Sequence, residues 1–343
     1  MPKRLVCSKH DTISWEEYEL PAKLEKGRIR VRNTHGAEKH GTKIAFIHGH
    51  GNKRGVWDNK KQMFVPGGVT WNYPIPLGNN QVGIVEQVGP EVDGFKPGDR
   101  ILYYDGFSPV ADVSQNSAWK LDASTSWKAA CCLDPAKFAL GALRDGNVRV
   151  GDAVAVFSLG AIGLMAVQLA KASGCYPIIA IDPLPLRREA ALKTGADEAI
   201  DPIGTDVGAR LREATGYRGV DVVIEYSGAM EALQASLRGV AFGGNVVLGG
   251  FPGPMKAGLD LGAEAHMNRP NLIFSRMESD PNRDHPRWNG DRVQDAALHF
   301  IRAGLINAEP VITPVLKFSD KLISEYDQIS NNPEKNIKLG VEY

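Results

Sequence analysis

The chain has 343 residues, about twice the ~150 of a usual domain, so two domains are the first expectation. Hydrophobic residues make up 43% and charged residues 23%, which supports a sizeable core and excludes a disordered chain. Forty Lys and Arg balance forty Asp and Glu, so no net field draws in nucleic acid or an anionic membrane surface, and neither is expected as a partner.

In chain order, the stretch Met1 to His10 turns polar before an apolar signal core of about 7–15 residues forms, which argues against export. No window approaches the ~20 apolar residues of a membrane helix. Residues 1 to about 125 alternate in short runs separated by turn residues. Gly27 to Arg32, Gln81 to Glu86 and Arg100 to Tyr104 read as strands, the last announced by the turn Pro97-Gly98-Asp99. The four cysteines, Cys7, Cys131, Cys132 and Cys175, contain no C-x-x-C and fit neither a disulfide framework nor a zinc knuckle; reduced thiols in a cytoplasmic protein are expected.

After residue 150 strands and helices alternate. Ala153 to Phe157, Ile178 to Ile181, Val220 to Ile224 and Asn245 to Leu248 read as buried strands, with helices over Ile162 to Ser173 and Leu186 to Lys193. This spacing implies right-handed crossovers and a parallel, doubly wound α/β sheet covered on both faces. The tail holds a helix over Asp291 to Ala303, a second near Ser319 to Ser330, and a closing strand Ile337 to Leu339. It is expected to return to the first, β-rich domain. The expected division is 1–149 with 291–343, interrupted by a nucleotide domain over 150–290.

Between the first strand and helix of that domain stands Ser158-Leu159-Gly160-Ala161-Ile162-Gly163, a dinucleotide fingerprint with Ser in place of its first glycine. Gly160 admits a pyrophosphate to the helix N-terminus and Gly163 permits close packing of helix on strand. Asp182 ends the second strand 22 residues after Gly160, where a carboxylate accepts from the adenosine ribose. Gly160 as a plain tight turn and Asp182 as a helix cap are the structural alternatives. Asp182 favours NAD over NADP, whereas Arg187 or Arg188 beside the ribose would admit the extra phosphate of NADP.

The run Gly89-Pro90-Glu91-Val92-Asp93-Gly94-Phe95-Lys96-Pro97-Gly98-Asp99-Arg100, followed by Gly160-Ala161-Ile162-Gly163-Leu164, resembles the medium-chain dehydrogenase/reductase superfamily of zinc alcohol and polyol dehydrogenases. Val220 to Gly228 and Phe242 to Val247 resemble its later cofactor strands, which adds Ser227, Gly249 and Phe251 as candidate cofactor residues. The resemblance implies a Rossmann domain inserted into a GroES-like substrate domain, a cleft between them, hydride transfer with nicotinamide, and a homodimer or homotetramer.

The metal positions depart from that pattern. The family's Cys-Gly-Thr-Asp-x-His run aligns with His35-Gly36-Ala37-Glu38-Lys39-His40, its Gly-His-Glu with Gly78-Asn79-Asn80, and a third ligand region with Asp134-Pro135. An amide is a poor zinc ligand, and no four-cysteine lobe is present. A zinc-free member is expected, although His35, Glu38, His40, His48 and His50 form a dense group of possible ligands. Side chains then manage the proton and the alkoxide: His40 or His35 as acid/base, with Glu38, Asn79, Asn80 and Asp134 on the hydroxyls of a polar, sugar-like or polyol-like small molecule. The competing functions are a zinc-free NADPH-dependent reductase of quinones or enones, and an inactive nucleotide-binding sensor. The polar segment His266 to Gly290 reads as a loop or short turns, either a surface excursion at a subunit interface or a lid reaching the cleft, where Arg276 would contact the cofactor or an acidic substrate group.

Overall fold

In the computed structural model of the chain, residues 1–48, 55–68, 72–250, 255, 258–276, 280, 282–330 and 332–343 are described. Two units emerge, Met1–Trp127 with Ile312–Tyr343, and Lys128–Val311 inserted between them.

The first unit is built on a mostly antiparallel sheet. Its long strand Arg28–Ala37 pairs with Asn80–Val88 on one side and Lys338–Glu342 on the other, and also receives Val110–Ser114. Arg100–Tyr104 and Ala118–Lys120 extend one end, and Ile312–Lys317 closes the other in parallel with Lys338–Glu342. Alternation explains Arg28–Ala37: Ile29 and Val31 are wholly buried while Arg32 faces solvent. Ile29, Val31, Val85, Ile101 and Tyr103 form one core. A second core gathers Leu5, Cys7, Leu77, Phe107, Leu322, Tyr326 and Leu339. The C-terminal strands therefore do return to the N-terminal domain.

The second unit carries six parallel strands in the order Glu198–Ile200, Ile178–Ile181, Val154–Phe157, Val220–Glu225, Val240–Leu248 and Asn271–Phe274. Counted along the chain this is 3-2-1-4-5-6, the Rossmann order, in which direction reverses between the first and fourth strands. Val154–Phe157 and Ile178–Ile181 are buried at every residue, because helices cover both faces and no position can remain polar.

Both expected boundaries, at 149/150 and 290/291, fall inside this unit. The helix Leu133–Asp145 packs on Ala161–Ala172 and on Gly290–Arg302, so both flanking helices belong to the Rossmann body. The segment expected as a loop from His266 contains a short helix, Glu264–Asn268, and the sixth strand, Asn271–Phe274. Farther on, the guanidinium groups of Arg144 and Arg292 lie over the Trp288 ring, 3.6 and 4.3 Å from its centroid, and Asp284 pairs with Arg144. This part is pinned to two helices.

Candidate active site

The second unit opens a groove of about 820 Å³ where the strand order reverses. Ser158 and Phe157 form its floor, Asp182, Leu184 and Arg187 one wall, Ser227, Ala229 and Met230 the other. Ser158 holds φ at +70°, the left-handed conformation that glycine adopts freely, so the missing first glycine has not changed the turn. A Cβ on Gly163 would overlap the Ser158 carbonyl oxygen, which makes glycine obligatory there. At Gly160 a Cβ would meet nothing within 4 Å, and Gly160 caps the helix Ala161–Ala172. Ala161 and Ile162 form its first turn, where unpaired N–H groups favour an anion.

Asp182 is 2% exposed. Its Oδ2 accepts from the Leu159 N–H at 2.7 Å and its Oδ1 from the Leu184 N–H at 2.9 Å. The carboxylate thus fixes the fingerprint turn to the loop before the helix Pro185–Thr194, and it faces the groove while doing so. Arg187 stands 3.7 Å from Asp182, and its Nε is buried without a hydrogen-bond partner among the described residues. Arg188 is engaged elsewhere, by Asp201 at 3.1 Å and the Asp182 carbonyl.

Glu225 was not foreseen. It ends the strand Val220–Glu225 opposite Phe157 and accepts from the N–H groups of Ser227 and Gly228 and from the Ser227 hydroxyl. Burial raises its carboxyl above the usual carboxylate range, against the pull of those hydrogen bonds. An acid closing an apolar strand is the signal that singled out Asp182, and it was equally present here. Gly249 is required by packing, since a Cβ would enter the Tyr226 ring. Arg276 is exposed and is not among the residues lining the groove. Phe251 lies outside the described residues.

In the first unit, Glu38 departs from its expected catalytic role. It is fully buried, with Oε2 accepting from the Gly78 N–H at 2.8 Å and the Tyr326 hydroxyl at 2.9 Å, and Oε1 from the Lys39 N–H at 2.6 Å. Its work is to tie the 78–80 turn to the end of the strand Arg28–Ala37. Gly78, with φ +110° and no room for a Cβ beside Phe107, brings Asn79 and Asn80 behind it. Asn79 is half-buried and donates to Asn80 Oδ1 at 3.2 Å.

His35 stacks on Trp127 with ring centroids 4.4 Å apart. Burial lowers its pKa, which keeps the ring neutral at physiological pH. His40 opens the helix His40–Ile47. His35-Gly36-Ala37 closes the strand Arg28–Ala37. His48 pairs with Asp11 at 2.7 Å, and His50 lies outside the described residues. Asp134 opens the helix Leu133–Asp145 of the second unit and is described with that unit. Cys131 and Cys132 are wholly buried core residues, and all four cysteines are free thiols.

Residues 161–285 match the zinc-binding dehydrogenase family and residues 55–129 the alcohol dehydrogenase GroES-like domain. A D-guloside 3-dehydrogenase of Escherichia coli K12 is 38% identical over 99% of this chain and all of its own. The chain belongs to the zinc-binding dehydrogenase family. Within the medium-chain superfamily, the fold of this dehydrogenase superimposes on 2R,3R-butanediol dehydrogenase from Bacillus subtilis with a TM-score of 0.79 at 23% identity over both full chains. It also matches an alcohol dehydrogenase of E. coli CFT073 complexed with NADH, with a TM-score of 0.77 at 20% identity over 100% of this chain and 99% of that one. The chain is accordingly an NAD(P)-dependent dehydrogenase with a GroES-like and a Rossmann domain.

Among the described residues no three His, Cys, Asp or Glu side chains converge as ligands. Glu38 gives its oxygens to Gly78, Lys39 and Tyr326, and His35 lies flat on Trp127.

Proposed function

We propose that this dehydrogenase oxidises a ring hydroxyl of a hexoside, or reduces the corresponding ketone, with NAD and without catalytic zinc. The groove at the strand-order reversal carries the cofactor half of this reading, because it sets Ser158 of the fingerprint turn and the carboxylate of Asp182 in one concave site. NAD is favoured by Asp182; the unpartnered Nε of Arg187 leaves NADP as the second cofactor to test. The full-length likeness to a D-guloside 3-dehydrogenase supports a glycoside hydroxyl as the reacting group.

A bound nicotinamide cofactor would supply the hydride acceptor for the carbinol C–H, while the hydroxyl proton would leave to a base of this chain and the carbonyl would form. His35, held neutral and stacked, is the weaker candidate for that base. His40 is the stronger, with Asn79 and Asn80 holding the substrate's hydroxyls. Turnover of methyl D-gulosides and other hexosides by the wild type, His40→Ala and Asn79→Ala, beside NAD titrations, tests this. Each variant is expected to lose at least about 100-fold in kcat while binding NAD normally. Unchanged turnover removes these residues, and stoichiometric zinc in the active sample removes the zinc-free reading.

Free, buried thiols suit a cytoplasmic protein. No described helix is long and apolar enough to cross a membrane. The protein is proposed to act on a small molecule as a homodimer or homotetramer, without nucleic-acid or membrane partners.

A further inference from the structure

Glu225 presents a problem that the fold alone does not solve. It is 2% exposed, and its neighbours across the sheet are Phe157 and Leu248, both members of the apolar core of the Rossmann unit. A carboxylate in such a place is expensive unless it is paired or richly hydrogen-bonded. Among the described residues no cation pairs with it. Its donors all come from the next turn: the Ser227 N–H at 2.5 Å, the Gly228 N–H at 3.1 and 3.0 Å to the two oxygens, and the Ser227 hydroxyl.

That turn is one wall of the groove, since Ser227 and Ala229 line it across from Asp182 and Arg187. The Ser227 Oγ also accepts from the Ala229 N–H at 3.1 Å. Gly228 takes φ +67°, and Gly250 approaches it so closely that a Cβ there would stand 3.1 Å from the Gly228 nitrogen. The turn is therefore folded inward around an anion that only acceptors can replace. A glutamine offers a single acceptor oxygen and would turn an N–H₂ toward N–H donors.

We propose that Glu225 is a positioning residue of the cofactor groove: its carboxylate fixes the turn at Ser227 and Gly228 in the shape that receives the dinucleotide. This rests on the nicotinamide cofactor occupying the groove. The carboxylate acts through the turn and does not touch the reacting carbon.

Glu225→Gln and Ser227→Ala in the full chain, titrated calorimetrically with NAD and with NADP and melted in parallel, provide the test. For Glu225→Gln the NAD Kd is expected to rise about tenfold, the loss of one charge-assisted hydrogen bond. With methyl D-guloside as the alcohol, KM for NAD should rise in step while kcat at saturating NAD holds. Ser227→Ala, which removes one donor and leaves the carboxylate, should weaken NAD about threefold and decides the matter if the glutamine variant does not fold.

An unchanged NAD Kd in the folded variants overturns the proposal, as does a fall in both kcat and the thermal midpoint, which marks a purely structural role. A wild type that binds neither nucleotide overturns the cofactor reading itself. Normal binding by wild type and Glu225→Gln alike overturns only the role given to Glu225.

Discussion

At position 158 the chain keeps a serine in a backbone conformation that a side chain disfavours by about 1–2 kcal/mol, with φ at +70°. Ser158→Gly should raise unfolding stability by up to about 1 kcal/mol, the relieved strain being offset in part by the freer unfolded chain; chemical denaturation reads this, and a loss of stability would contradict the strain argument. Gly163→Ala should act in the opposite sense. Its methyl meets the Ser158 carbonyl, so about 1–3 kcal/mol of stability should go, together with NAD binding, because the helix must move off the strand. Glu225 links stability to pH. Burial raises its native pKa, so the native state holds the proton more tightly than the unfolded chain. Its contribution is fully present below the ordinary glutamate value and is lost as pH rises through the native one. Urea midpoints of the wild type relative to Glu225→Gln should therefore fall with rising pH across that window; a rise there defeats the assignment. At this scale the sequence was readable where partners are local. Ser158, Gly163 and Asp182 lie in one turn and the strand beside it, and their roles follow from spacing. The burial of Glu38 does not, because its partners Gly78 and Tyr326 are 40 and 288 residues away.

Amphipathic periodicity tells which face of an element is buried, but not against what. In Gly290–Arg302 the residues Val293, Ala297, Leu298 and Ile301 are buried, at helical spacing, so the helix was legible. Its host was not, and the helix packs on Leu133–Asp145 in the Rossmann unit. The polar segment before it misleads for a related reason. Arg144, Asp284, Arg287, Trp288 and Arg292 look like solvated residues one at a time, yet two guanidinium groups lie over one indole and Asp284 binds two of the arginines. Trp288→Ala should remove both cation–π contacts and part of an apolar seal, at about 2 kcal/mol. Proteolysis should then cut near residues 282–289 before the rest of the chain. Equal resistance in the variant would mean that the indole does not hold the segment.

For the molecule as a whole, the open question raised by the fold is what covers the sixth strand. Asn271–Phe274 is the last strand of the Rossmann sheet, and no described strand pairs with its outer edge. Leu272 is 42% and Phe274 75% exposed. They alternate along the strand and so share a face. An uncovered edge with apolar side chains invites pairing with another chain, and proteins that leave one open normally blunt it with charge or proline. Neither occurs within Asn271–Phe274. Pairing of this edge with the same edge of a second copy, antiparallel about a two-fold axis, would close both at once and give a self-limited dimer. Light scattering should then find about twice the 37.2 kDa of one chain for the wild type. Phe274→Lys should shift the mass to that of one chain at micromolar concentration, while far-UV circular dichroism and NAD binding stay as they were, because the substitution lies on an exposed face outside the groove. A wild type that runs as a monomer, or a Phe274→Lys variant that keeps its mass, would show that this edge is not the interface.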